Sequence, residues 1–125
     1  MNRRGANAYI LLEVILAVAI VGISLGVLMD GMGRCLAAAR SVQSYNLAQI
    51  LLTNKSCEFR LEHTPSTINQ EGDFTEHPGF AWRRELTPTQ TVGLWEQTIT
   101  VTWQERGRTA SDSIVEYRYL PQKQR

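Results

Sequence analysis

The chain has 125 residues and a mass of 14.1 kDa, enough for one small hydrophobic core and too little for two independent ones. Its 13 Lys and Arg against 12 Asp and Glu leave a formal charge of +1, so there is neither the basic stripe of a nucleic-acid binder nor an acidic tail. Two cysteines, Cys35 and Cys57, are too few for the disulfide framework of a small secreted fold.

The first element is apolar. Arg3 and Arg4 precede the small-residue run Gly5-Ala6-Asn7-Ala8, and from Tyr9 to Met29 the only charged residue is Glu13. As a helix that stretch covers about 30 Å, the depth of a bilayer's hydrocarbon core. A secretory signal peptide has a shorter apolar region, of about 7–15 residues, before a small-residue cleavage site. Leu36-Ala37-Ala38-Ala39 offers such a site after Ala39, but the apolar run is longer and holds a carboxylate. A carboxylate in hydrocarbon costs about 2.5–3.5 kcal/mol even on insertion scales, so Glu13 either serves a purpose or snorkels from a position near the membrane face. Gly22 and Gly26 form a GxxxG spacing that lets membrane helices approach closely, although glycine is also common in spans without such a role.

The stretch Ala8-Tyr9-Ile10-Leu11-Leu12-Glu13-Val14 resembles the class III leader junction of type IV pilins and of the pseudopilins of type II secretion systems. The resemblance implies a basic leader over residues 1–8, cleavage between Ala8 and Tyr9 by a prepilin peptidase, and N-methylation of Tyr9. Ala8 departs from the family's usual glycine; cutting at Gly5 would make Glu13 the eighth mature residue instead of the fifth. In the family's logic Glu13 is an assembly residue, its carboxylate meeting the new amine of a neighbouring subunit. In low dielectric each charge offsets the burial of the other. A pair between residues four apart within one helix is the competing role. Positive charges flank both ends of the span, Arg3 and Arg4 against Arg34 and Arg40, and do not set its orientation. The resemblance does, with the leader cytoplasmic and the C-terminal domain periplasmic at the inner membrane.

Beyond the span, Leu36, Ala39, Val42, Leu47, Ile50, Leu51, Cys57 and Leu61 recur at helical spacings, which predicts an amphipathic helix over 34–63 continuous with the assembly helix over 9–33. Pro65 and its neighbours stop it, and residues 66–79 read as a loop. Phe80–Leu86 predicts a strand. Trp95, Gln97, Ile99, Val101 and Trp103 alternate with Glu96, Thr98, Thr100 and Thr102, the clearest strand of the chain. After a turn at 105–108, Ile114–Leu120 alternates again, Val115, Tyr117 and Tyr119 against Glu116 and Arg118. About three antiparallel strands cannot stand alone, so the tryptophan face is expected to pack on the helix around 42–61. The fold class is therefore α+β: a long N-terminal helix on a small C-terminal antiparallel sheet over 64–125.

That outline is pilin-like. Asn46-Leu47-Ala48-Gln49, Asn54 to Leu61, Glu71-Gly72 and Ala81-Trp82-Arg83 further resemble the I-type minor pseudopilin. The resemblance implies a structural subunit at the tip of a short periplasmic pseudopilus that supports protein secretion. Its implied partners are other minor pseudopilins, the major pseudopilin, prepilin peptidase, the inner-membrane assembly platform and the bilayer, with no nucleic acid and no cofactor. A minor type IV pilin or competence pilin fits the same features, and a signal-anchored periplasmic binding domain is the rival from another class. Catalysis is not expected, because His63 and His77 accompany no nucleophile motif or phosphate loop. Cys57, His63 and His77 match no zinc spacing, Asp73 and Glu76 lack a calcium loop's alternating carboxylates, and the tryptophans read as sheet core. Cys35 and Cys57 lie about 33 Å apart along one helix, too far to bridge, and are expected to be buried or to face a partner.

Overall fold

The computed structural model describes residues 3–65 and 67–120, with side chains from Asn7 onward. The predicted leader and C-terminal region therefore extend at both ends beyond the described residues. The element order is one helix followed by four strands: α1 (Arg3–Leu61), β1 (Asn69–Asp73), β2 (Phe80–Pro88), β3 (Leu94–Glu105) and β4 (Arg108–Tyr119). The chain divides into two compact units, residues 1–40 and 41–125.

The described residues of the first unit are helix alone, and no proline interrupts it. Its large apolar side chains from Tyr9 to Met32 are exposed. It is long and apolar enough to cross a membrane, and none of its apolar window is buried inside the protein. Ser24 donates its hydroxyl to the Ile20 carbonyl at 2.7 Å, which satisfies that polar group within the helix itself. At the far end of the apolar run Asp30 and Arg34 pair one turn apart at 2.9 Å.

In the second unit the remaining helix packs on an antiparallel sheet of order β1-β2-β3-β4. The sheet contains one strand more than the sequence suggested, because β1 forms inside the expected 66–79 loop. Its residues Asn-Gln-Glu-Gly-Asp have low strand propensity, yet β2 supplies the ladder, with Gly72 opposite Trp82. The Trp82 ring lies where a Cβ on Gly72 would come within 3.0 Å, so the glycine lets the indole close over β1. The last strand also begins earlier than Ile114. Arg106 and Gly107 both take positive φ, 50° and 74°, the geometry of a tight two-residue hairpin turn, and pairing runs from Glu105↔Arg108 to Leu94↔Tyr119.

The core consists of Ala48, Leu52 and Phe59 from the helix with Ile99, Val101 and Trp103 from β3. The strict alternation of β3 thus places its expected face inward, and Phe80 stacks on Trp103 at 6.0 Å. The helix face differs from expectation. Ala48, Leu51, Leu52, Ser56 and Phe59 are buried, whereas Val42, Ile50, Cys57 and Leu61 are exposed. The apolar stripe was ambiguous because this stretch has apolar residues on more than one face, and the sheet selects the one that fits. Both cysteines are free and exposed, so of the two expected environments burial is excluded and a partner-facing position remains.

Candidate functional site

Ala8 and Tyr9, the expected cleavage junction, lie exposed within α1, not in a loop. Glu13 follows Tyr9 by four residues, which on an α-helix sets both on one face. It is exposed among Ile10, Leu11, Leu12 and Val14, and no described residue is hydrogen-bonded to or ion-paired with its carboxylate. Gly22 and Gly26 sit on the same helix with open space where a Cβ would project. These residues share one exposed apolar helix and are not drawn into a pocket.

A second cluster, which the sequence reading missed, lies between the end of the helix and the inner face of the sheet. Arg84 is fully buried. Its Nη1 donates to Glu62 at 2.6 Å and its Nε to Gln97 at 3.0 Å, and its guanidinium lies 4.2 Å over the Phe59 ring. Nη2 has no hydrogen-bond partner among the described residues. Beside it Glu116 accepts from Ser56 at 2.6 Å and from Arg60 at 2.7 Å. Arg118 donates to the Glu62 carbonyl at 2.6 Å, satisfying one of the orphan acceptors at a helix C-terminus. Asp112 accepts from Gln49 further along the helix.

Opposing effects act on these groups. Burial pushes the Glu116 carboxyl up, but the hydrogen bonds from Ser56 and Arg60, with the charges of Arg60 and Arg118, outweigh it and hold the carboxyl below its ordinary range. Burial and the neighbouring Arg84 lower Arg118. The cluster latches the helix to β2, β3 and β4, and its geometry is that of a structural network. The signal for it was present: Arg84 shares a strand face with Trp82 and Leu86, and Glu116 and Arg118 alternate with Tyr117 and Tyr119. Charged residues at inward positions are uncommon unless paired, which hid that reading. As a result β4 turns Glu116 and Arg118 toward the helix and leaves Val115, Tyr117 and Tyr119 exposed.

A third feature is a cation enclosed by rings. Lys55 Nζ lies 4.5 Å from the Trp82 centroid and 5.8 Å from those of Phe59 and Phe74, with Glu58 at 2.9 Å. These contacts tie the turn after β1 to the helix. An open groove of about 650 Å³ on the sheet is bordered by Glu71, Arg83, Glu85 and Thr100. Among the described residues no group of three His, Cys, Asp or Glu side chains gathers in a way that could hold a metal ion.

Comparison with protein-family models, curated proteins and solved structures gives no match. The class is therefore defined by architecture alone: an α+β protein in which a long, N-terminally apolar helix carries a four-stranded antiparallel sheet, an arrangement that matches the pilin-like description.

Proposed function

We propose that the chain is a non-enzymatic structural subunit, a minor pseudopilin of a type II secretion system. In this reading prepilin peptidase cleaves between Ala8 and Tyr9 and methylates the new N-terminus. The span sits in the inner membrane with the leader cytoplasmic and the sheet periplasmic. The subunit joins other minor pseudopilins at the tip of a short pseudopilus, above the major pseudopilin and the assembly platform. One observation carries the reading: the exposed apolar stretch of α1 from Tyr9 to Met29 holds a single carboxylate, Glu13, one turn after the junction and with no partner among the described residues. In hydrocarbon such a group is costly alone and acceptable beside a cation, and a neighbouring subunit's Tyr9 amine supplies one.

Coexpression with a prepilin peptidase in a bacterial membrane, followed by intact mass and N-terminal sequencing, tests it. A product spanning residues 9–125 and one methyl group heavier is the expected result. A chain cut after Ala39, or an intact chain beginning at Met1, overturns the reading in favour of an exported or anchored domain. Minor pilin and minor pseudopilin then separate by which subunits copurify.

A further inference from the structure

The sheet ends on β4, a twelve-residue strand whose outer edge pairs with no other strand among the described residues. Long regular edges are usually blunted by lysine, proline, bulges or unpaired inward charges, because their free N–H and C=O groups template another strand. The Arg108–Tyr119 strand contains no lysine, proline or glycine, and its register against β3 is unbroken. Its inward charges are already engaged, Asp112 with Gln49, Glu116 with Arg60 and Arg118 with the Glu62 carbonyl. Two hydrogen bonds orient the edge. Leu120 N–H donates to Gly93 C=O at 2.8 Å, placing even-numbered residues on the β3 ladder, and Ser113 N–H instead meets Asp112 Oδ1 at 2.9 Å. The peptide groups of Ser111, Ser113, Val115, Tyr117 and Tyr119 therefore face outward.

We infer that β4 pairs antiparallel with β4 of a second copy of this chain, about a two-fold axis at Val115. Such pairing is isologous, so residues equidistant from the axis face each other, and charge selects the register. An axis at Asp112 or Glu116 sets that acid against itself. An axis at Ser113 opposes Arg108 with Arg118, and one at Ile114 opposes Asp112 with Glu116. Like charges directly opposite destabilise a strand pair. Among these long registers the Val115 axis alone avoids them, and it sets Asp112 opposite Arg118 twice. On the outer face it brings Tyr117 to Ser113, Tyr119 to Ser111 and Val115 to Val115, covering the exposed end of the strand. This inference goes beyond the proposed pseudopilin role and holds for either cleavage outcome.

The test uses the full chain in mild detergent with Cys35→Ser and Cys57→Ser. Val115→Cys is expected to form an intermolecular disulfide on gentle oxidation, because residues of a hydrogen-bonded pair lie about 5.5 Å apart at Cα, within disulfide reach. Ser113→Cys, displaced from its own copy, is expected to cross-link at least tenfold less. Val115→Pro removes an outward amide, which an edge strand tolerates, and is expected to turn a dimer in light scattering into a monomer with unchanged circular dichroism. Equal cross-linking at 113 and 115, or none at 115, overturns the inference. So does a folded Val115→Pro variant that remains dimeric, the result expected if association resides in the Gly22/Gly26 helix face. If Val115→Pro does not fold, the cysteine comparison decides.

Discussion

The two units of this chain satisfy the same polypeptide chemistry in opposite ways. Residues 7–32 satisfy backbone groups within one helix and leave the apolar side chains exposed, which is stable only where lipid or another helix replaces water. Residues 41–125 bury a compact apolar cluster and then place charged side chains against it, each held by hydrogen bonds. In the first unit a side chain matters for what it meets outside the chain. In the second it matters for what it meets inside, so substitutions in the two units are expected to fail in different assays.

The largest effect on stability is expected at the centre of the second unit. Trp103→Ala removes a buried indole that stacks on Phe80 and meets Tyr45 edge-on, and should cost about 3–5 kcal/mol in denaturant melts of the detergent-solubilised chain. Arg84→Ala comes next, at about 2–4 kcal/mol, because it strands the buried Gln97 and the Glu62 carboxylate. Arg84→Met, which keeps packing over Phe59 but strands the same two partners, should lose nearly as much; a much smaller loss than in Arg84→Ala would show that packing, not the charge network, holds the helix to the sheet. Gly93→Val follows at about 1–3 kcal/mol. This residue has φ of 82°, and a Cβ would come within 2.8 Å of the Tyr119 ring.

Acid titration has a smaller effect with a defined sign. The Glu116 carboxyl has a folded-state pKa below its ordinary value, chiefly because the bonds from Ser56 and Arg60 overcome the cost of burial. It therefore contributes stability that is complete above the ordinary carboxylate range and is lost as pH falls through the folded value. The thermal midpoint should fall on acidification more for the native chain than for Glu116→Gln, and parallel profiles would remove this carboxylate from the account. The smallest stability effect, within about 0.5 kcal/mol, is expected for Glu13→Ala, which touches no core residue. In the proposed pseudopilin role, the same substitution should abolish copurification with the proposed partner subunits while membrane insertion and processing persist; unchanged assembly would leave Glu13 incidental.

Much of this architecture was legible because its signals are local. An apolar run free of proline is a helix whatever surrounds it, and the alternation from Trp95 to Trp103 has period two with no competing helical reading. β1 was not legible, since Asn69–Asp73 becomes a strand only when β2 offers it a ladder and Gly72 admits the Trp82 ring. The helix stripe failed for a related reason: Ile50 and Leu61 are as hydrophobic as Leu52, and nothing along the chain says which of them meets the sheet. The candidate assembly residues could be named from the sequence because they form a short contiguous pattern. The network around Arg84 could not, because its members come from four separate elements.

The sequence alone determined the long helix, its apolar stretch from Tyr9 to Met29 with one carboxylate, and the small antiparallel sheet that follows, since each rests on hydrogen bonding and side-chain periodicity over neighbouring residues. Only the tertiary structure decided which helix face is buried, that Asn69–Asp73 pairs as a strand, and that Arg84, Glu116 and Arg118 point inward while Tyr117 and Tyr119 stay outside. Burying a charge is favourable only when partners from distant parts of the chain arrive in the right geometry, and that condition is a property of the assembled fold.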